Sequence, residues 1–202
     1  MSGSLTDTRA RWHHRLPHWE VADRPHFITV RCAGSLPREV VARLREVHLR
    51  LAAISPESPE GAMLQRASFA ICEKYVDQGF GFSPFTTPAA ARIVLAHWAD
   101  LEIRTGWRVS TAVAMPNHVH FILEPTRADP VPLRRMLAAW KGRVARAANL
   151  VLGRTGAFWQ ESWFDRWLRH EAERERVADY IVQNPVKAGL VRDASAWPWR
   201  IP

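Results

Sequence analysis

Two histidines and a tyrosine are the residues of this sequence whose types and spacing point most directly to chemistry. His118 and His120 stand two apart in the stretch 115–122, which is typical of a β-strand, and alternate strand residues point to the same side. Neutral imidazoles bind divalent metals, so the pair predicts part of a metal site. Tyr180 and Asn184 stand four apart in a predicted helix and therefore share one helical face.

Together these groups suit attack on a phosphodiester. Two imidazoles and the amide oxygen of Asn184 make three protein ligands, which leaves a metal open positions for a phosphate oxygen. A phenol has a pKa of about 10 and is a weak nucleophile until a nearby cation stabilises its anion. Attack by Tyr180 would retain the bond energy of the diester in a covalent phosphotyrosine, so the pattern favours strand transfer over simple hydrolysis.

The same residues also have structural interpretations. A His-x-His pair on a strand can be a hydrogen-bonded polar pair, Tyr180 can be a half-buried helix aromatic, and Asn184 can mark a helix end before Pro185. The histidine pair also begins the pattern of histidine-triad nucleotide hydrolases. Ile122 stands where that pattern has its third histidine, which counts against a hydrolase of this kind.

Length and charge limit the class of protein. A chain of 202 residues predicts a single domain, with a core over 15–192, a variable insert over 51–88 and a tail over 193–202. A net charge of +8 and a pI near 10.6 favour a polyanionic partner such as nucleic acid. Of 28 basic residues all but Lys74, Lys141 and Lys187 are arginines, whose planar side chains suit phosphate oxygens and stack on bases.

The rest of the composition indicates a location. No apolar run is long enough for a transmembrane helix, and Met1 to Arg15 lacks the apolar core of a signal peptide. Cys32 and Cys72 show no disulfide-framework spacing, which suits a reducing compartment. We therefore expect a soluble cytoplasmic protein without a membrane partner.

Strands and helices alternate along the chain. Helices over one face of an antiparallel sheet would give an α+β architecture. The predicted strands are His26–Arg31, Trp107–Met115, His118–Leu123 and Phe158–Leu168; the predicted helices are Arg38–Leu51, Pro88–Arg104, Leu133–Val151 and Glu171–Asn184; the predicted loops are 55–61 and 79–88. The segment Ala62–Val76 between the loops is ambiguous, and Glu73 and Asp77 near its end have no assigned role.

The helix from Leu133 is amphipathic, because its apolar residues recur in alternate steps of four and three. Its basic residues fall mostly on the opposite side and make either a solvated face or a surface that follows phosphates. They are Arg134, Arg135, Lys141, Arg143 and Arg146.

Beyond these patterns, the sequence resembles the REP-associated tyrosine transposases of bacteria, relatives of the single-strand insertion-sequence transposases in the HUH nuclease superfamily. The matching segments extend over most of the chain. They are Leu16-Pro17-His18-Trp19, Gly34-Ser35-Leu36-Pro37, Met115-Pro116-Asn117-His118-Val119-His120, Lys141-Gly142 with Ala145-Arg146 and Asn149, Gly156-Ala157-Phe158-Trp159-Gln160, Phe164-Asp165 with Arg169, and Tyr180-Ile181 through Gly189-Leu190.

The resemblance implies a ferredoxin-like α+β fold of the HUH nuclease type, whose antiparallel sheet carries the histidine pair beside the tyrosine helix. It implies an endonuclease and strand transferase that cuts and rejoins single-stranded DNA near hairpins, with Mg²⁺ or Mn²⁺ and a 5′-phosphotyrosine intermediate. It assigns His118, His120 and Asn184 as metal ligands and Tyr180 as the nucleophile. As DNA contacts we predict the basic side of the Leu133 helix together with Lys187: Arg134, Arg135, Lys141, Arg143, Arg146 and Lys187.

Two further expectations accompany this resemblance. The alternative function is that of a descendant that binds DNA hairpins without cutting them. A homodimer that exchanges the tyrosine helix is one way to complete the site. The implied location is the bacterial cytoplasm, at the nucleoid.

Overall fold

The computed structural model of the chain describes residues 8–14, 16–54 and 58–202. The first three residues of the predicted loop at 55–61 therefore lie outside the described residues, as do residues 1–7 and 15 of the N-terminal stretch. In the described part no helix has the length and apolar character needed to cross a membrane.

Seven strands and six helices make up the described chain. The strands are β1 Thr8–His14, β2 Leu16–Val21, β3 His26–Arg31, β4 Trp107–Met115, β5 His118–Pro125, β6 Phe164–Trp167 and β7 Arg200–Ile201. The helices are α1 Arg38–Ala52, α2 Pro59–Val76, α3 Pro88–Ala99, α4 Leu101–Thr105, α5 Leu133–Val151 and α6 Glu171–Lys187. Short 3-10 turns lie at Pro84–Thr86 and Ala194–Ala196.

Five of the strands form the central sheet, in the order β6-β3-β5-β4-β7, with every pairing antiparallel. Numbered along the chain, the four strands β3, β4, β5 and β6 lie in the order 4-1-3-2, which is the arrangement of a ferredoxin-like βαββαβ unit. The predicted α+β class is thus confirmed. The remaining strands, β1 and β2, form a separate hairpin that the sequence analysis did not predict.

The two faces of the sheet carry different residues because side chains alternate along each strand. Val119, Phe121 and Leu123 of β5 pack with helices α3 and α5 in the main apolar core, and we call this side the α5 face. His118 and His120 point to the other side, where Ile122 packs against residues of α6, and we call this side the α6 face. The crossover helices α3 and α5 match the predicted helical layer, and α2 and α6 add cover on the α6 face.

The predicted hairpin between β4 and β5 is present, with Met115 opposite His118 in the register. Its turn is Pro116-Asn117, as the sequence indicated. This register places His118 at the start of β5, where Arg31 of β3 is its partner on the other side. His120 lies two residues further along, between Thr29 of β3 and Val113 of β4.

The ambiguous segment is helix α2, and the helix begins within the predicted loop. Ser58 caps it, because its Oγ accepts a hydrogen bond from the Gly61 backbone N–H at 3.0 Å, and Pro59 occupies the first helical position, where no N–H is needed. The predicted helix over 88–104 is broken at Asp100 into α3 and α4, and Gly106 in the left-handed conformation ends it.

Helix α6 does not stop at Asn184, contrary to the prediction, but continues through Pro185 to Lys187. A proline near the end of a helix removes only one N–H from the ladder. The helix stop is instead set by Gly189, whose φ of 69° is in the left-handed region and allows the Leu190 N–H to bond to the Pro185 carbonyl at 2.9 Å.

The predicted fourth strand is shorter than expected. Only Phe164–Trp167 forms β6, while Trp159 makes a single bridge to Cys32. Residues 193–202, predicted as a tail, return to the sheet and add β7 to the edge of β4. The tail is also held by the Trp197 indole, which donates a hydrogen bond to the Ala114 carbonyl at 3.0 Å.

Candidate metal and tyrosine site

The structure brings three potential metal ligands together on the α6 face. One ligand atom each from Glu73, His118 and His120 lie within 4.8 Å of one another, and all three residues are buried. The histidines come from β5, as predicted, and the carboxylate comes from α2. Nitrogen and oxygen donors of this kind suit several divalent cations, so the group could hold a metal without defining which one.

The tautomer of His118 leaves one nitrogen free for a ligand. The Asn117 amide nitrogen donates to the Phe80 carbonyl at 3.0 Å, which directs its Oδ1 to His118 Nδ1 at 2.8 Å. Because that oxygen can only accept, Nδ1 carries the proton and Nε2 is left with its lone pair. Asn117 therefore positions His118.

Burial keeps His118 neutral. Its pKa lies well below the ordinary histidine value, because the ring is removed from solvent and because His120 and Arg31 disfavour a positive charge. A neutral imidazole is the form that binds metals. His120 is anchored at its other nitrogen, since its Nδ1 lies 2.8 Å from the Thr29 hydroxyl.

Tyr180 meets this group from α6. Its hydroxyl donates a hydrogen bond to Glu73 Oε2, and the same oxygen lies 3.3 Å from His120 Nε2. The tyrosine and His120 rings are 5.6 Å apart between centroids. The Lys187 ammonium sits 4.7 Å from the tyrosine ring centroid. A single chain thus joins the tyrosine to the histidines without any exchange of helices.

Asn184 lies one helical turn after Tyr180 and is fully buried. Neither its amide oxygen nor its amide nitrogen has a hydrogen-bond partner within the described residues. A buried amide without partners costs free energy, so this side chain is available for a ligand. Its role as a metal ligand stays a prediction.

Glu73 and Asp77 are the residues that the sequence analysis left without a role. Glu73 lies in the last turn of α2 and Asp77 directly follows the helix, so the two stand four apart on one face, and Asp77 Oδ1 lies 3.9 Å from His118 Nε2. Burial and the neighbouring Glu73 raise the pKa of Asp77 to about 6. The only sequence signal for this pair is its spacing, which also occurs on ordinary solvated helices.

The donor set fits a divalent metal by its own geometry. His118 Nε2, His120 Nε2 and Glu73 Oε1 are buried atoms with no hydrogen-bond partner in the described part of the chain. Buried polar atoms are normally paired, and a cation would satisfy all three. The metal predicted from the sequence is therefore compatible with the residues that are present, with Glu73 as an additional candidate ligand.

The predicted DNA-binding residues are distributed over both faces. Arg134, Arg135 and Arg146 are exposed on α5, whose apolar side packs on the face opposite the histidines. The Lys141 ammonium is fixed by two hydrogen bonds, which it donates to the carbonyls of Gln160 and Glu161 at 2.8 and 2.7 Å. Burial also lowers the pKa of this lysine to about 8.

Arg143 and Lys187 complete the predicted set. Arg143 is half-buried on α5, whereas Lys187 is exposed at the end of α6. Of the six predicted contacts, Lys187 is the one that the structure places beside Tyr180.

Two cavities flank the candidate site on the α6 face. The larger, of about 490 Å³, lies between α1, α2 and β3 and has Glu73 on its wall. The smaller, of about 250 Å³, has Tyr180 on its wall. The ring pair of Phe69 and Phe164, with centroids 4.8 Å apart, borders both cavities.

Comparison with solved structures finds the same overall fold in a REP-associated tyrosine transposase bound to a REP hairpin. The alignment covers 91% of this chain and 79% of that chain, with a TM-score of 0.51 and 14% sequence identity. At this identity the relationship is one of fold. No family model matches the sequence, and a comparison with curated proteins finds no match.

Proposed function

We propose that this protein cleaves and rejoins single-stranded DNA next to hairpins, with Tyr180 as the nucleophile. The observation that carries the proposal is the meeting of the Tyr180 hydroxyl with Glu73 and His120 in one buried group. The solved transposase with this fold is bound to a DNA hairpin, which supports a hairpin as the partner of this chain as well.

The chemistry follows from the positions of these side chains. The phenolic oxygen attacks the phosphorus of a backbone phosphodiester, a bond forms between them, and the bond to the 3′-oxygen of the preceding nucleotide breaks. The phenol proton, which already points at Glu73 Oε2, passes to that carboxylate, and the released 3′-oxygen takes a proton from water to become a hydroxyl. The product is a 5′-phosphotyrosine, which a free 3′-hydroxyl can attack to restore Tyr180.

A divalent cation, Mg²⁺ or Mn²⁺, would be held by His118 and His120, with Asn184 or Glu73 as the third ligand. When bound it would supply positive charge to the phosphate oxygens. The chain itself would contribute a second positive charge at Lys187, whose ammonium lies 4.7 Å from the tyrosine ring centroid.

DNA contacts on this proposal come from both faces. Lys187 would contact the cleaved strand, since it lies at the tyrosine. The exposed arginines of α5, with Arg143 at their edge, would contact the paired stem of the hairpin, on the other side of the sheet. The sixth predicted residue, Lys141, would act through the loop carbonyls that it holds.

The test is the formation of a covalent adduct. The protein, a hairpin-bearing single-stranded oligonucleotide and Mg²⁺ or Mn²⁺ are expected to give a protein–DNA band that survives denaturation, and Tyr180→Phe is expected to give none. Tyr75→Phe is the matched control, because Tyr75 is the only other tyrosine, and it should retain the adduct. Identical gels for wild type and Tyr180→Phe would exclude this nucleophile.

The same experiment separates the alternative. A protein that binds the hairpin yet forms no adduct with either metal would be a binding protein without strand-transfer activity. Sedimentation of the protein with and without the oligonucleotide would report whether a homodimer forms, although one chain already joins Tyr180 to the histidine pair.

A further inference from the structure

The smaller cavity beside Tyr180 has an unusual charge. It is lined by three arginines, Arg66 from α2, Arg166 from β6 and Arg169 just after it, and none of its other lining residues in the described part of the chain is acidic. Like charges this close repel one another. None of the three is among the DNA contacts predicted from the sequence.

Only one of these arginines is neutralised by a carboxylate within the described chain. Arg166 lies 3.1 Å from Glu173 Oε1, and its buried Nε has no hydrogen-bond partner there. Arg66 and Arg169 have no ion pair among the described residues. Burial and the surrounding arginines lower the pKa of Arg166, which means that the cluster is electrostatically unfavourable as it stands.

The walls of the cavity suit a strand of DNA. Its apolar side is formed by Phe27, Phe69 and Phe164, whose rings contact one another edge-on or tilted. Aromatic faces of this kind accept sugars and unpaired bases, while guanidinium groups bind phosphate oxygens in pairs. A volume of about 250 Å³ is below that of a drug-sized ligand pocket and suits one phosphate with part of its sugar.

The position of the cavity relative to the nucleophile gives it a role. Tyr180 separates it from the metal-ligand group, because the ring lines the cavity while its hydroxyl bonds to Glu73 on the other side. We infer that Arg66, Arg166 and Arg169 bind a backbone phosphate of the DNA strand adjoining the phosphate that Tyr180 attacks. This inference rests on the proposed function and adds a strand-positioning site to it.

The experiment measures binding without cleavage. The protein in EDTA is titrated with hairpin-bearing single strands, each carrying one neutral methylphosphonate in place of one phosphate. A charge-assisted contact is worth about tenfold to hundredfold in affinity. We therefore expect a loss of at least about tenfold when the modification falls at one position, or at two adjacent positions, and little loss elsewhere.

Variants of the exposed arginines identify the contact. Arg66→Gln and Arg169→Gln should each weaken binding of the unmodified strand and should lose less affinity than the wild type when the methylphosphonate is at the critical position, because one of the three cations on that phosphate is already gone. Arg43→Gln is the matched control, since Arg43 is exposed on the neighbouring helix α1 and does not line the cavity, and it should keep the full sensitivity of the wild type. Arg166→Lys is a milder third variant that keeps a cation for Glu173.

Two results would overturn the inference. One is a loss of affinity that is the same at every modified position in wild type and variants, which would mean general electrostatic attraction only. The other is saturable binding of inorganic phosphate that Arg66→Gln weakens, together with an unchanged affinity of that variant for the DNA strand. This result would mean that the arginines bind free phosphate and not DNA. The two proposals fail separately, because binding is measured in EDTA, where no cleavage occurs. If the arginine variants change the effect of the methylphosphonate at one position while the protein forms no adduct in Mg²⁺, the phosphate site stands and Tyr180 is rejected as the nucleophile.

Discussion

The two faces of the central sheet are covered in different ways, one by packed apolar side chains and the other by a group of buried polar side chains. On the α5 face Trp98 and Trp140 stack with their ring centroids 6.3 Å apart, and Phe121 packs against both. On the α6 face the buried residues include His118, His120, Glu73 and Asn184. Dispersion and apolar burial stabilise the first face, while the second carries polar atoms that folding alone leaves unpaired.

The kind of unpaired atom differs between the faces. On the α5 face these atoms include the indole nitrogens of Trp98 and Trp140, which can only donate and cannot bind a metal, and a single imidazole nitrogen, Nδ1 of His26. On the α6 face they include imidazole nitrogens of His118 and His120 and oxygens of Glu73 and Asn184, which are atoms of the kind that bind metals. The α5 face therefore stabilises the fold by apolar burial, whereas the α6 face contains unpaired potential ligand atoms whose burial costs free energy.

The largest effect should come from the α5 face. Trp140→Ala removes a fully buried ring that contacts Trp98, Phe121 and Trp159, so the free energy of unfolding should fall by about 3–5 kcal/mol. Urea denaturation measures this loss. Metal affinity of the folded fraction should be unchanged, and Trp140→Phe provides a milder variant that stays folded. A loss of metal affinity in Trp140→Phe would show that the two faces are coupled.

Acid should weaken the α5 side through His26, a buried residue whose Nε2 accepts the Val21 N–H at 3.3 Å beside the Trp107 ring. Burial lowers its pKa from 6.5 to about 4, so the unfolded chain takes up a proton first as the pH falls. The contribution of His26 to the free energy of unfolding is intact above pH 6.5 and declines by about 3 kcal/mol on the way to pH 4.

The check is the free energy of unfolding between pH 8 and pH 4, compared for wild type and His26→Gln, which keeps an acceptor near the position of Nε2. The variant should have a shallower decline. His118 is also buried with a lowered pKa and adds to the slope in the same direction, so some decline should persist. If the free energy of unfolding declined equally with pH in both proteins, His26 would not contribute to the loss of stability in acid.

The parts of the site that sequence alone predicts are those built from neighbours in the chain. The histidine pair follows from strand alternation across the tight turn before it, and Tyr180 and Asn184 follow from the spacing within a helix. Each of these relations is local, so the periodicity of one element suffices. The resemblance extended these local relations to a common site, and the structure confirms that the tyrosine meets the histidines.

Glu73 was not predicted because its contact is not local. It reaches Tyr180 across 107 positions of the sequence, from a helix whose apolar residues have no clear period. The placement of the α5 arginines away from the histidines likewise depends on topology, since it follows from which face the crossover helix covers. The end of α6 was misplaced because Pro185 was given more weight than Gly189, the residue that ends the helix.

The next largest effect should be on metal affinity, and it identifies the third protein ligand on the α6 face. If Glu73 binds the cation, Glu73→Gln should weaken Mn²⁺ binding about tenfold to hundredfold, equivalent to about 1.4–2.7 kcal/mol, and Asn184→Ala should do so only if its amide oxygen is a ligand. Isothermal titration calorimetry on the DNA-free protein separates the two. Unchanged affinity in both variants would exclude Glu73 and Asn184 and leave the histidines, with Asp77 beside His118, as the candidate ligands.

The smallest effect should come from the exposed arginines of α5. It should show whether the paired stem of the hairpin binds on the α5 face while the single strand binds on the α6 face. The triple variant Arg134→Gln, Arg135→Gln and Arg146→Gln should lower the salt dependence of hairpin binding, because each lost phosphate contact on a duplex reduces the slope of log affinity against log salt by about 0.9. Exposed charges contribute under about 1 kcal/mol each, so the change in affinity is modest while the change in slope is measurable.

The control is a strand of the same length without a hairpin. Its binding should respond to Arg66→Gln on the α6 face and remain unchanged in the α5 variant, because only the paired stem is expected to extend around to α5. Equal changes for both oligonucleotides would mean that one continuous surface binds DNA without regard to its structure. In that case the two faces would differ in how they fold and in how they hold a metal, but would share a single role in binding the nucleic acid.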